Sequence, residues 1–186
     1  MKTLILILTG LLLWGCAGTK IADGISPAYY PDGALKSEAN YLNGRLEGIT
    51  KEYYENGRLK TETTYSRGIQ SGVMRQYFND QQNSPQLEQY YLNGLKHGPG
   101  IEFYPNGQRK WEGSYIEDKL DGLIVSYFEN GRKKDELNYL KGQKHEIVRS
   151  YYDNGRIKTE EYWSNNQRKK IKMFNPDGSI RHTQEF

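Results

Sequence analysis

An all-β fold, built as an elongated single-layer antiparallel meander of about seven 24-residue hairpin repeats, is the architecture that this 186-residue chain predicts. Three observations predict it. Aromatic pairs recur at Tyr29, Tyr53, Tyr77, Phe103, Tyr127, Tyr151 and Phe174, at spacings of 24, 24, 26, 24, 24 and 23. A turn dipeptide ends four residues after every start but Tyr77, at Gly33, Gly57, Gly107, Gly131, Gly155 and Gly178, always behind Asn or Asp. The runs between turns are rich in Thr and Tyr, residues that suit a pleated, half-buried surface.

Each element follows in order. Ile49 to Tyr54 and Arg58 to Tyr65 are six to eight residues long, as strands are. The Asn56-Gly57 dipeptide between them is the strongest short-range hairpin signal and predicts a two-residue type I′ turn. The second connection of each unit reads as looser: Tyr41 to Gly48, Tyr65 to Gly72, Tyr91 to Gly98, Tyr115 to Gly122 and Tyr139 to Glu146. Asp118 and Glu146 replace glycines there, which costs turn stability without changing the path. The third unit carries a longer connection, Asn79 to Pro85, which accounts for its two extra residues.

Symmetric pairing about Asn56-Gly57 puts Tyr54, Leu59 and Tyr65 on one face, Ile49 and Tyr53 on the other. It sets Tyr65 between Gly48 and Gly72, with the ring expected over both glycines. The Tyr65 position is aromatic in all units: Tyr41, Tyr65, Tyr91, Tyr115, Tyr139, Trp163 and Phe186. Pro99-Gly100 stands where other units have Ile49 or Val73, so pairing should be weakest there.

Composition fits a thin sheet. The hydrophobic fraction is 35%, mean hydropathy is −0.90, and 16 Tyr supply much of the apolar area. Aromatic content of 13% argues against disorder. The 26 Lys and Arg are interspersed with 23 Asp and Glu, so the net charge of +3 does not point to nucleic acid.

The Tyr-x-x-Gly-x-x-x-Gly pattern resembles the MORN repeat, in the bacterial variant found in proteins labelled YwqK-type antitoxins. The resemblance covers Ile25 to Phe186 and is sharpest at Trp111-Glu-Gly-Ser-Tyr115 and at Asn93-Gly-Leu-Lys-His-Gly-Pro-Gly100. The repeat architecture suggests a binding or scaffold module, and the label on the family implies an immunity or antitoxin protein as the alternative.

Residues 1–15 read as a signal peptide: Lys2 is followed by the apolar run Leu4 to Trp14, too short to span a bilayer. Leu13-Trp14-Gly15-Cys16 resembles a bacterial lipobox. That resemblance implies cleavage before Cys16, a diacylglyceryl thioether on its sulfur and an acylated amine, with palmitate among the chains. Residues 16–24 then form a lipidated tether, and 25–186 the repeat sheet. Ala17 in place of Asp implies, by resemblance to enterobacterial sorting, the outer membrane if the source is Gram-negative. Cys16 is the single cysteine, so no intrachain disulfide forms.

No Walker loop, Gly-x-Ser-x-Gly, dinucleotide fingerprint or His-Glu-x-x-His occurs. His97 and His145 occupy equivalent turn positions two units apart, and a metal site needs convergent ligands. The expectation is therefore a protein that is not an enzyme, with no cofactor and no metal. Its partners are the membrane, through the lipid on Cys16, and a protein or cell-envelope polymer. The candidate contact row is Tyr30, Tyr54, Phe78, Tyr104, Phe128 and Tyr152.

Overall fold

Each Thr- and Tyr-rich run pairs with the run that follows it. In the computed structural model, which describes residues 21–186, the result is one open antiparallel sheet of 17 strands in a meander. In chain order these are β1 (Gly24–Tyr29), β2 (Leu35–Leu42), β3 (Arg45–Leu46), β4 (Gly48–Tyr53), β5 (Leu59–Ser66), β6 (Ile69–Tyr77), β7 (Pro85–Leu92) and β8 (Leu95–Phe103). They continue with β9 (Arg109–Ile116), β10 (Lys119–Leu120), β11 (Gly122–Tyr127), β12 (Lys133–Leu140), β13 (Gln143–Lys144), β14 (Glu146–Tyr151), β15 (Ile157–Ser164), β16 (Gln167–Phe174) and β17 (Ile180–Glu185). β3, β10 and β13 are two-residue pieces in line with the strands after them, so fourteen lines of chain cross the sheet. No helix occurs among the described residues.

The two turns of each unit exchange the roles that the sequence suggests. At Tyr54 to Arg58 the Gly57 amide donates to the Tyr54 carbonyl at 2.9 Å and the Tyr54 amide to the Arg58 carbonyl at 2.8 Å. Gly57 has φ 81°, while Asn56 is not left-handed. This is a three-residue loop closed by a left-handed glycine, not a type I′ turn. The asparagine is there for its side chain: Asn56 Oδ1 accepts from the amide two residues on, at Arg58. The same bond recurs from Ala34 to Asp32, Gln108 to Asn106, Arg132 to Asn130, Arg156 to Asn154 and Ser179 to Asp177.

The type I′ turns lie in the other connection. Asn43-Gly44, Arg67-Gly68, Asn93-Gly94, Glu117-Asp118, Lys141-Gly142 and Asn165-Asn166 all have positive φ at both residues. Their twist matches the strands that they join. Asp118 keeps the path at φ 64°, and its carboxylate accepts from the Lys96 amide at 2.8 Å. The third unit closes its long loop with the same bond as the others, Phe78 amide to Ser84 carbonyl at 2.9 Å, and Asn83 at φ 54° takes the left-handed position.

A bulge follows each type I′ turn, at the second glycine where there is one. Between the pairs Tyr41↔Leu46 and Glu38↔Lys51, β2 spends two residues and the facing chain four, Glu47 to Thr50. Gly48, Gly72, Gly98, Gly122 and also Glu146 sit at this bulge with φ of 78°, 120°, 75°, 84° and 58°. In the seventh unit the shift, between Tyr162↔Lys170 and Trp163↔Arg168, is one residue shorter, which accounts for the 23-residue spacing. Pairing is not weakened at Pro99-Gly100. β8 is continuous, and Pro99↔Ser114 and Gly100↔Gly113 are paired like their neighbours. Pro99 lies within the bulge common to all units, where a missing amide donor disturbs little.

The core is thin. Ile124, Val148 and Ile171, at 7%, 7% and 4% exposure, hold equivalent positions in successive units, and Val125 lies on the opposite face. Earlier units place Thr50, Met74 and Gly100 there. Stability is therefore a sum of neighbour contacts rather than the property of one interior.

Candidate functional site

One face of the sheet carries a ladder of rings. Tyr41, Tyr65, Tyr91, Tyr115, Tyr139 and Trp163 are half-buried along it, and Phe186 ends it, exposed. Cations stand between rungs. Lys96 pairs across from Tyr91 and its Nζ lies 5.1 Å from the Tyr115 ring centre; Lys144 pairs with Tyr139 and sits 4.8 Å over Trp163. Arg168 pairs with Trp163 and sits 4.4 Å over Phe186. Each such contact is worth about 0.5–1 kcal/mol at an exposed site.

Gly48 faces Tyr65 as the sequence suggests, but Gly72 faces Tyr91 instead, because the bulge shifts the register. Nor do the rings fill the glycine space. A Cβ on Gly48 would be nearest Asn40 Nδ2, one on Gly72 would press on Thr64, one on Gly98 would meet the Tyr90 ring, and Gly122 is open. These glycines serve the backbone conformation of the bulge, not ring packing.

The row Tyr30, Tyr54, Phe78, Tyr104, Phe128 and Tyr152 lies at the three-residue-turn edge, half-buried. Its phenols couple successive units: Tyr30 donates to the Tyr53 carbonyl at 2.6 Å, and Tyr54, Tyr104 and Tyr152 donate to the carbonyls of Tyr77, Tyr127 and Phe174 at 2.8 Å. Lys36, Lys60 and Lys158, the extra residues of a second small bulge, place Nζ 5.8, 5.9 and 5.8 Å from the rings of Tyr30, Tyr54 and Tyr152. Phe78 and Phe128 have no hydroxyl for such a tie.

The neighbouring aromatics bond to a line of carboxylates. Tyr53 donates to Glu38 at 2.6 Å, Tyr77 to Glu62 at 2.8 Å, Tyr127 to Glu112 and Tyr151 to Glu136. Burial first, then the bonded carboxylate, pushes each of these four phenols up to about 12. Where the aromatic is Phe, at Phe103 and Phe174, the equivalent Glu88 and Glu160 take Arg75 and Arg149 at 3.1 and 2.9 Å. The lysines and glutamates that interleave the rings were visible in the 24-residue register, but their partners depend on the bulges and were not.

Cys16 and the signal peptide lie outside the described residues. His97 and His145 hold the position at which Asp23, Glu47 and Asp121 accept from the turn amides of Asn43, Arg67 and Lys141. Among the described residues no group of three or more His, Cys, Asp or Glu could hold a metal ion, and no helix is long and apolar enough to cross a membrane.

With the hairpin register in place, the comparison with known families can be read on it. Residues 22–43, 46–67 and 96–117 each match the MORN repeat variant. Three hairpins of the sheet are thus similar to this repeat. Each match runs from just ahead of a left-handed glycine, Gly24, Gly48 or Gly98, to a type I′ turn, so each matched segment is an entering strand, a three-residue turn and the return strand. The remaining hairpins repeat the same bonds with more divergent side chains. A search of curated proteins finds no match to the chain.

Proposed function

We propose that the protein is a non-enzymatic MORN-repeat binding module, held at a bacterial cell envelope by lipid on Cys16, whose sheet engages a protein or an envelope polymer. The observation that supports this reading most directly is the open breadth of the sheet. A single layer leaves both faces in reach of solvent, and half-buried rings interleaved with cations follow one face from Tyr41 to Phe186. Such amphipathic rings bind well because one side is apolar and the rim is wet.

Anchorage follows from the lipobox-like Leu13-Trp14-Gly15-Cys16. With β1 starting at Gly24, the tether holds the first strand within about 30 Å of the lipid at roughly 3.3 Å per residue. Acyl chains contribute about 0.8 kcal/mol per buried CH₂, so more than one gives stable attachment. The test is cell fractionation with palmitate labelling. The wild-type chain is expected in the membrane fraction and labelled, and Cys16→Ser soluble or retained as an unlabelled precursor. Unlabelled wild-type protein would overturn the anchored reading.

A further inference from the structure

Substitutions between repeats scatter when they are neutral; on one face of this sheet they converge. Gln76, Leu87, Glu102 and Trp111 form a straight line of cross-strand pairs over β6, β7, β8 and β9. Beside it, two residues along each strand, runs a second line, Met74, Gln89, Gly100 and Gly113. Where Trp111 stands, other units carry Ser37, Thr61, Leu87, Asp135 or Thr159; where Gly100 stands, they carry Thr50, Met74, Ile124, Val148 or Ile171. Gln86 occupies the place of Lys36, Lys60, Lys110, Lys134 and Lys158.

These departures have one geometric result. Without Cβ atoms at 100 and 113 the floor is low, and the indole lies across it: a Cβ on Gly100 would come 3.2 Å from Trp111 Cη2, and one on Gly113 3.3 Å from Cζ3. Gln89, 2% exposed, fixes the floor by donating through Nε2 to the carbonyls of Tyr90 and Pro99 at 2.9 and 3.3 Å. Above it opens a groove of about 290 Å³ between Trp111, Tyr115, Gln76, Gln86 and Glu102. The Trp111 and Tyr115 ring centres are 6.1 Å apart at 50°, so the two rings form an angled wall.

The polar groups around that wall alternate in kind. The Trp111 indole N–H has no partner among the described residues, whereas that of Trp163 is bonded to Glu161 at 2.9 Å. Gln76 Nε2 donates to Gln86 Oε1 at 3.0 Å, which leaves Gln86 Nε2 to donate and Gln76 Oε1 to accept. Glu102 Oε1 takes Lys110 at 2.7 Å and its second oxygen is left to accept. Lys96 also lines the groove, with its Nζ 5.1 Å from the Tyr115 ring centre. A phosphate that reached it would still meet the Glu102 carboxylate unfavourably, and a purely aliphatic ligand would strand the amides at a cost in desolvation. A ring with an apolar C–H face and a rim of groups that both donate and accept satisfies all of them.

We infer that this groove is a saccharide site, which takes a pyranose chain with one sugar stacked on Trp111 and its rim bonded by Gln76, Gln86, Glu102 and the indole N–H. Side-chain amides exchange donor and acceptor with an acetamido group, so an N-acetylhexosamine chain is the preferred ligand. The inference rests on the binding-module reading and names the class of polymer engaged.

The test is calorimetric titration of the full-length, detergent-solubilised chain with chitotetraose and with cellotetraose. Chitotetraose is expected to bind at millimolar concentration or below. Trp111→Phe keeps a ring over the glycines and loses one donor, and should weaken binding roughly three- to tenfold. Gln76→Ala, at a half-buried position, should weaken it comparably, and its melting curve shows whether the fold is kept. Heat from neither tetraose, or equal affinity in both variants, would overturn the site; cellotetraose binding as tightly as chitotetraose would overturn the acetamido assignment. The site fails alone if the wild-type chain carries palmitate at the membrane yet binds neither sugar. The anchored reading fails alone if wild-type protein binds chitotetraose but carries no palmitate.

Discussion

Glu146 is the one L-residue among the left-handed strand-entry positions otherwise held by Gly24, Gly48, Gly72, Gly98 and Gly122, and it adopts their backbone at φ 58°. It faces Trp163 as Gly48 faces Tyr65, so the strand geometry imposes the conformation from both sides. A non-glycine residue there costs about 1–2 kcal/mol in steric strain. Replacing it by glycine also frees the unfolded chain, which returns about 0.4–1 kcal/mol. The carboxylate adds little, being exposed and 3.8 Å from His145 Nε2. Glu146→Gly should therefore stabilise by about 0.5–1 kcal/mol, a rise in melting midpoint of about 1–4 °C for a chain of this size. Circular dichroism melts at fixed pH and salt are the assay. Glu146→Ala is the control, because it removes the charge and keeps the strain, and should stay within about 0.5 kcal/mol of wild type. A Glu146→Gly midpoint at or below wild type would refute the strain argument, and an equal gain in Glu146→Ala would assign the effect to the carboxylate.

Two further outcomes follow from the contacts. The phenols of Tyr53, Tyr77, Tyr127 and Tyr151 are held up near 12 in the fold and titrate near 10 when unfolded. Their contribution is thus complete below pH 10 and is lost as pH rises from 10 towards 12. Ultraviolet titration should show six late-titrating tyrosines among the 16, these four and the burial-raised Tyr91 and Tyr115, and Tyr77→Phe should flatten the alkaline loss of stability; a fall that begins below pH 9, or no change in Tyr77→Phe, would contradict the assignment. Gly100→Ala would drive a methyl into the Gln89 amide and against Trp111, and Gly113→Ala into Ile124 Cδ1. Each should destabilise by about 1–3 kcal/mol in urea unfolding, and an unchanged midpoint would mean that this floor is looser than described.

The meander was legible because Gly-containing turn dipeptides every dozen residues leave room for strands alone, and a 24-residue period fixes which strands adjoin. The turn types were not, since Asn-Gly suits a type I′ turn and a left-handed loop closure equally. What decides at Asn56 is the bond from Oδ1 to the Arg58 amide, a contact that emerges with the fold. Register failed at a similar point. Two extra residues around Gly48 and Gly72 lie within runs that still alternate, so nothing in the pattern marks them, yet they move Gly72 from Tyr65 to Tyr91. Trp111 stood out early as the best copy of the repeat opening. Its more informative property is that it differs from Thr61 and Thr159, which matters once strand pairing brings it beside Gln76, Leu87 and Glu102.

The ties between neighbours carry one more consequence. The amides of Gly68, Gly94, Asp118 and Gly142 each donate back to the preceding unit, to the carbonyls of Leu46, Gln70, Lys96 and Leu120 at 2.8, 2.8, 3.0 and 2.8 Å. Donor and acceptor have the same address in all four, so any of these turns could dock on another's strand. Loss or duplication of one 24-residue module at the level of the gene would leave a seam that the backbone closes by itself. The length of such a protein is free to drift between lineages, as a chain of identical links can be shortened or let out, while the stretch from Gln76 to Tyr115 has no second copy from which to be restored.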